Sequence, residues 1–390
     1  MRRLAADIIF PVSTPPVLDS VLLLSDEEKI IGIHPRADFL DSEIEIFHGA
    51  LVPGFVNTHC HLELSHLKNV LPQKTGLIDF LSEVPSQRLH SDEVILAAIE
   101  EADNEMWKEG IVAVGDISNN DISFAAKAKS KIHFHTFIEL LALDTEKASA
   151  VFDKGLQLLQ QARSMGLHTS LAPHAPYTVS TALMQLIFQH CYTNSLPTTL
   201  HFLESAEENV FFKNGTGGFR QLYANLQLPL RFTPTNKLCV ESVLPNLHPQ
   251  VRTLLVHNTY ASYYDVAFAE NIHPHIFWCV CPNANLYIEN RLPDVSILMQ
   301  NVRYITIGTD SLASNHTLSV MEELKTLQKH FPQLTAETLI RWATLYGAKF
   351  LNLQETLGSF DTGKKPGVVL LRDYNPANGS LRNCSPVRIA

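Results

Sequence analysis

The chain has 390 residues, 45% of them hydrophobic and 18% charged, with a formal net charge of -10. That length supports a large core, arranged as two or three domains or as one large barrel with an appendage. The acidic balance, with no Lys/Arg block, argues against a nucleic-acid partner, whose phosphates repel such a surface.

Six scattered cysteines include only one close pair, Cys279 and Cys281. This fits reduced thiols better than a zinc finger or a disulfide scaffold. The opening MRRLAADIIFPVSTPP has no long apolar segment and an early proline. No signal peptide and no membrane partner are expected, which makes the cytoplasm the expected location.

In chain order, residues 1–50 carry short strand-like pieces, ADIIFPVS, VLLLS, IIGIHP and EIEIFHG, separated by turn residues. Strand and helix patterns then alternate. The strand candidates are LVPGFV at 51–56, IVAVGD at 111–116, IHFHTFIEL at 132–140 and LHTSLA at 167–172. Four more follow: TTLHFL at 198–203, RTLLVH at 252–257, HIFWCV at 275–280 and RYITIG at 303–308. Helix-like runs lie between them, including SDEVILAAIEEADNEMWKEG and ASAVFDKGLQLLQQARSMG.

Apolar strands alternating with helices predict parallel strands buried on both faces. Eight such units close as a (β/α)8 TIM barrel, an α/β fold, with a doubly wound open sheet as the alternative. No glycine-rich dinucleotide fingerprint follows the early strands, which argues against a nucleotide-cofactor site. The tail FDTGKKPGVVLLRDY returns to a Gly-rich turn and a buried strand. The two ends are therefore expected to form one small composite β-sandwich, giving residues 1–50 and 356–390 around a catalytic barrel at 51–355.

Polar residues close several of these strands. His59 and His61 sit two apart after the first, so on a strand they face one way. They read as ligands of zinc, nickel or iron, or as a loop cap beside a surface histidine. His201 completes a three-histidine set, and Asp310 offers an oxygen ligand or a turn cap. His257 stands at the same strand-end level and suits holding a nucleophilic water. Glu204 suits a proton shuttle, or a carboxylate favoured at a helix N-terminus.

The motifs PGFVNTHCHLELSHL, APHAPYTVS, HFLESAEE, VHNTY, CPNANLYI and IGTDSLASNHTLSVMEELK occur in order along nearly the whole chain. Together they resemble the amidohydrolase superfamily, in its cytosine, guanine and methylthioadenosine/S-adenosylhomocysteine deaminase-like and chlorohydrolase-like branch. The resemblance implies one divalent metal, zinc or else iron, held by His59, His61, His201 and Asp310. It implies that His257 contacts the reactive water, Glu204 shuttles protons and His174 contacts substrate. Binuclear relatives use a lysine on the fourth strand; here Leu171, Ala172 and Pro173 precede His174, which favours one metal.

The expected activity is an aminohydrolase that replaces an amine on a small aromatic heterocycle or nucleoside and releases ammonia. A chlorohydrolase or a cyclic-amide hydrolase would use the same ligands, and a noncatalytic metabolite-binding barrel is the reading from another class. Glu63 reads as a substrate contact or a structural carboxylate, and Arg220 as an anion contact or a surface ion pair. Tyr177 could supply a ring contact, whereas Phe202 and Trp278 read as core, and Asn283 and Asn285 as orienting residues. A homodimer is an expectation of the resemblance alone.

Overall fold

Eight strands in the middle of the chain form two four-stranded parallel sheets in this computed structural model, which describes residues 1–390. The first sheet contains β1 (Phe55–Cys60), β2 (Ile111–Ser118), β3 (His133–Leu140) and β4 (His168–Pro173). The second contains β5 (Thr198–Phe202), β6 (Thr253–His257), β7 (Ile276–Val280) and β8 (Ile305–Ile307). Every residue of β1, β2, β5, β6, β7 and β8 is buried, as parallel strands covered on both faces require.

The two sheets meet on both sides. Between β4 and β5, His201 N donates to His174 O at 2.9 Å and Thr198 Oγ1 to Leu171 O at 2.9 Å. Beyond β8, a parallel bridge joins Asp310 to Cys60, and Thr309 N donates to His59 O at 3.0 Å.

The helices that matter for the cavity are α1 (Leu77–Gln87), α2 (Asp92–Lys108), α3 (Ala148–Ser164), α4 (Thr181–Thr193), α5 (Glu207–Asn214) and α6 (Gly218–Asn225). Local chemistry explains their bounds. Asp92 and Glu93 lie in the first turn of α2 and Lys108 in its last, matching the helix dipole. Its buried Ile99, Ala102 and Met106 are spaced three and four apart, which is one helix face. Ser180 caps α4 by accepting from Leu183 N.

Strands from both ends of the chain share a sheet: Val368–Arg372 pairs antiparallel with Ala50–Pro53 and with Ser385–Arg388, while Ile8–Ile9 pairs parallel with Ala50–Pro53. Leu4, Ile9, Leu22, Leu51 and Val368 pack together in one apolar cluster there. No helix is long and apolar enough to cross a membrane.

The run LVPGFV is therefore not one strand. Ala50–Pro53 joins the terminal sheet and Phe55–Cys60 the parallel one, with Gly54 between them. A Cβ on Gly54 would lie 2.3 Å from Val112 Cγ1 and 2.7 Å from Pro366 O, so the close approach needs glycine. Both halves are buried, and hydrophobic pattern alone does not reveal the break.

Candidate metal centre and adjoining cavity

The polar residues that close β1, β5 and β6, with Asp310 beyond β8, converge at the C-terminal ends of the strands. His61 Nε2 lies 3.2 Å from His59 Nε2 and 3.2 Å from His201 Nε2. Asp310 Oδ1 lies 3.6 Å from His59 Nε2 and 3.5 Å from His61 Nε2. Close packing fixes this approach, since a Cβ on Gly308 would come within 2.8 Å of both His59 Cβ and Cys279 Sγ.

The donor set fits a divalent ion. His201 Nδ1 donates to His174 O at 2.8 Å, which turns the lone-pair side of Nε2 toward the other two rings. Facing lone pairs repel one another, and ligands ~2.1 Å from a tetrahedral metal would stand about 3.4 Å apart, close to the separations here. Burial pushes the His59, His61 and His201 pKa values down, with neighbouring imidazoles lowering the last two further, so the rings are neutral and able to ligate. Burial acts to raise the Asp310 pKa, and the neighbouring imidazoles lower it only when they are protonated, a role the charge of a bound divalent ion would take over. Ser314 Oγ donates to Asp310 Oδ2, leaving Oδ1 toward the histidines.

His257 and Glu204 stand beside this cluster, with His257 Nε2 3.6 Å from Glu204 Oε1. His257 Nδ1 meets Asn285 Oδ1 at 3.3 Å, and Asn285 Nδ2 donates to His257 O and to Thr259 Oγ1. An amide oxygen only accepts, so Nδ1 carries the proton and Nε2 is the basic nitrogen. Glu204 is buried, which pushes its pKa well up, and the charge of Asp310 adds to this. The carboxylate of Glu208 holds the backbone behind it, accepting from Leu203 N at 3.1 Å, Glu204 N at 2.7 Å and Ser205 N at 3.4 Å.

Above the cluster lies a cavity of about 400 Å³. Its apolar side comes from α1, through Leu77, Phe80, Leu81 and Val84, and from the α6 region, through Leu222, Tyr223 and Leu226. Its other side is polar, with Arg88, Asn119, Glu139 and His174. Thr178 Oγ1 donates to Ala175 O and accepts from His174 Nδ1 at 2.7 Å, which leaves His174 Nε2 an acceptor. Burial takes the His174 pKa down to about 3, with nearby histidines and Arg88 adding to the shift.

Two expected substrate contacts fall elsewhere. Arg220 is exposed and reaches Gly215 O at 3.4 Å, because residues two apart on a helix lie on nearly opposite faces and α6 turns Leu222 inward instead. Glu63 is buried behind the polar wall and accepts from Asn119 N at 3.1 Å. Tyr177 lines the cavity, stacked on Phe219 at 3.9 Å, while Phe202 and Trp278 are fully buried core. Sequence reasoning missed Arg88, Asn119 and Glu139. Glu139 nearly closes β3, the same signal that marked His201 and His257, while Arg88 follows α1 with no pattern to mark it.

Comparison with known proteins agrees with this geometry. An adenosine deaminase of Helicobacter pylori is 27% identical over 355 residues, covering 87% of this chain and 84% of the relative. A 5-methylthioadenosine/S-adenosylhomocysteine deaminase of Saccharophagus degradans is 27% identical over 371 residues, covering 90% of this chain and 77% of the relative. The crystal structure of Helicobacter pylori aminofutalosine deaminase with methylthio-coformycin superposes with a TM-score of 0.85 at 22% identity, covering 100% of both chains. The model of the amidohydrolase family matches residues 50–387. The chain belongs to the amidohydrolase family.

Proposed function

We propose that this chain is a zinc-dependent aminohydrolase acting on a nucleoside that carries an amine on its heterocycle. The observation that carries this reading is the 3.6 Å approach of Glu204 Oε1 to His257 Nε2, beside a ready-made set of three imidazoles and a carboxylate. In this reading His59, His61, His201 and Asp310 hold one ion. Zinc suits three neutral imidazoles and one carboxylate, and iron is the second choice.

A divalent ion supplies Lewis acidity there and brings the pKa of a water toward neutrality. The residues of the chain do the rest. His257, fixed by Asn285, orients the water through Nε2 while Asp310 takes its proton. Burial favours the protonated form of Glu204, which gives its proton to the ring nitrogen as oxygen adds to the amine-bearing carbon. The amine takes the proton held by Asp310 as the C–N bond breaks, and the hydroxyl proton of the adduct returns to Glu204 as the carbonyl forms. Ammonia leaves and a ring carbonyl remains. The apolar walls from α1 and α6 exclude bulk water and suit an apolar substituent on the nucleoside.

The eight strands close in this reading as a (β/α)8 barrel, supported by the hydrogen bonds that join β4 to β5 and β8 to β1. Because Ala50–Pro53 pairs with the terminal strands, the composite β domain takes residues 1–53 and 356–390 around a catalytic barrel at 55–355, in a cytoplasmic homodimer. The test is ammonia release by zinc-loaded protein from adenine nucleosides, with product masses recorded. Replacement of amine by oxygen is expected, whereas release of chloride from a chlorotriazine without nucleoside deamination would reject the reading.

A further inference from the structure

Glu139 near the end of β3 has no part in the chemistry above, yet its buried carboxylate lines the cavity. Its side chain is 4% exposed. Oε2 accepts from Asn119 Nδ2 at 2.8 Å, while Oε1 has no hydrogen-bond partner. His201 Nδ1 lies 3.6 Å from Oε1 but gives its single proton to His174 O at 2.8 Å. A buried acceptor without a donor is costly, and such a group in a binding cavity calls for a donor from the ligand.

The neighbours of Glu139 are organised around it. Asn119 is tied on three sides: its N–H goes to Glu63 Oε2 at 3.1 Å, its Oδ1 accepts from Arg88 Nη2 at 3.0 Å, and one Nδ2 N–H goes to Glu139. It therefore holds Arg88 and Glu139 side by side. Arg88 makes this one side-chain hydrogen bond, although a guanidinium carries five N–H groups. The wall thus presents an unpaired acceptor next to spare donors, one imidazole ring behind the metal-facing atom of His201.

Vicinal hydroxyls match that pairing, since each both donates and accepts. The facing helix α1 turns only Leu77, Phe80, Leu81, Val84 and Pro85 to the cavity, so it cannot satisfy them. We infer that Glu139, with Arg88 beside it and Asn119 as their brace, is the site that reads the sugar hydroxyls of the nucleoside. This inference rests on the nucleoside-deaminase reading.

The test compares zinc-loaded wild type and Glu139→Gln on adenosine, 2′-deoxyadenosine and 3′-deoxyadenosine, with zinc content measured. Inosine and its two deoxy forms are titrated by calorimetry into zinc-depleted protein. Wild type should lose at least about tenfold in kcat/KM on one deoxy substrate, since an unmatched buried polar group discriminates strongly. Glu139→Gln should keep its zinc and bring the three substrates within about threefold of one another. Equal wild-type rates on all three would overturn the inference. So would an equal loss on all three in the variant, or loss of zinc, which would assign Glu139 to the support of His201. If no nucleoside is deaminated, the functional reading fails, and the calorimetry still decides the sugar site: a preference for inosine supports it and equal binding removes it.

Discussion

The main-chain N–H of Asp310 donates to the carbonyl oxygen of His59 at 3.0 Å. Two groups 251 positions apart in sequence are thereby locked together through backbone rather than through side chains. Their carboxylate and imidazole stand 3.6 Å apart as a result. Side-chain substitutions at these positions leave the lock intact, so ligation can be removed without removing the fold.

Asp310→Asn and His61→Ala are each expected to lose bound zinc and at least about 100-fold in turnover while folding normally. Zinc content by mass spectrometry and far-UV circular dichroism check this. A variant with full zinc and wild-type turnover would remove that residue from the ligand set.

Glu204→Gln keeps the shape of the shuttle but cannot carry the transferred proton. Zinc content should stay at the wild-type level and kcat should fall about 100- to 10,000-fold. Near-normal turnover in the zinc-loaded variant would assign the proton transfer to another group.

Glu208 acts one step behind. Its three backbone hydrogen bonds fix the turn that bears Glu204, where Leu203 has φ +46°. Glu208→Ala should lower stability in a urea titration by roughly 2–4 kcal/mol and reduce kcat more than it raises KM, with zinc retained. A KM effect alone would place Glu208 in substrate binding instead.

Acid should weaken the fold away from the metal centre. Burial holds His133 down to about 4, His135 to about 3 and His273 to about 4. These rings are neutral in the folded chain but take up protons near the ordinary histidine value of about 6.5 once unfolded. Below that value the unfolded state binds more protons, so stability is full above it and declines as pH falls toward the folded values. Each histidine contributes a slope of about 1.4 kcal/mol per pH unit in that window. Melting temperatures of zinc-free protein from pH 7.5 to 4.5 should fall, and His135→Phe should flatten the decline. An identical slope in that variant would trace the acid sensitivity to other groups.

The sequence exposes the metal-centre residues because apolar strands that end in His or Asp give a local signal. His201 and His257 each lie at such an end, and Asp310 lies three residues past β8. In the polar wall only Glu139, next to last in β3, carries that signature, and Arg88 and Asn119 carry none. Arg88, Asn119 and Glu139 sit on separate segments, and only tertiary packing joins them through hydrogen bonds of 3.0 Å and 2.8 Å. The same limit explains Arg220, whose rotation about the axis of α6 no local pattern reveals. Gly54 shows it in the backbone, since LVPGFV reads as one apolar run while its two halves serve different sheets.

That division at Gly54 makes the terminal strands a mechanical anchor for the chemistry. Only Phe55 to Thr58 separate the turn from His59, and they run as extended, buried chain with little slack. A shift of the strand Ala50–Pro53 against Val368–Arg372 would be passed along that tether to the first two imidazoles. Substitutions at the far end of the sequence, in the packing of Val368 or Leu370, therefore belong among those that detune metal affinity without touching the cavity.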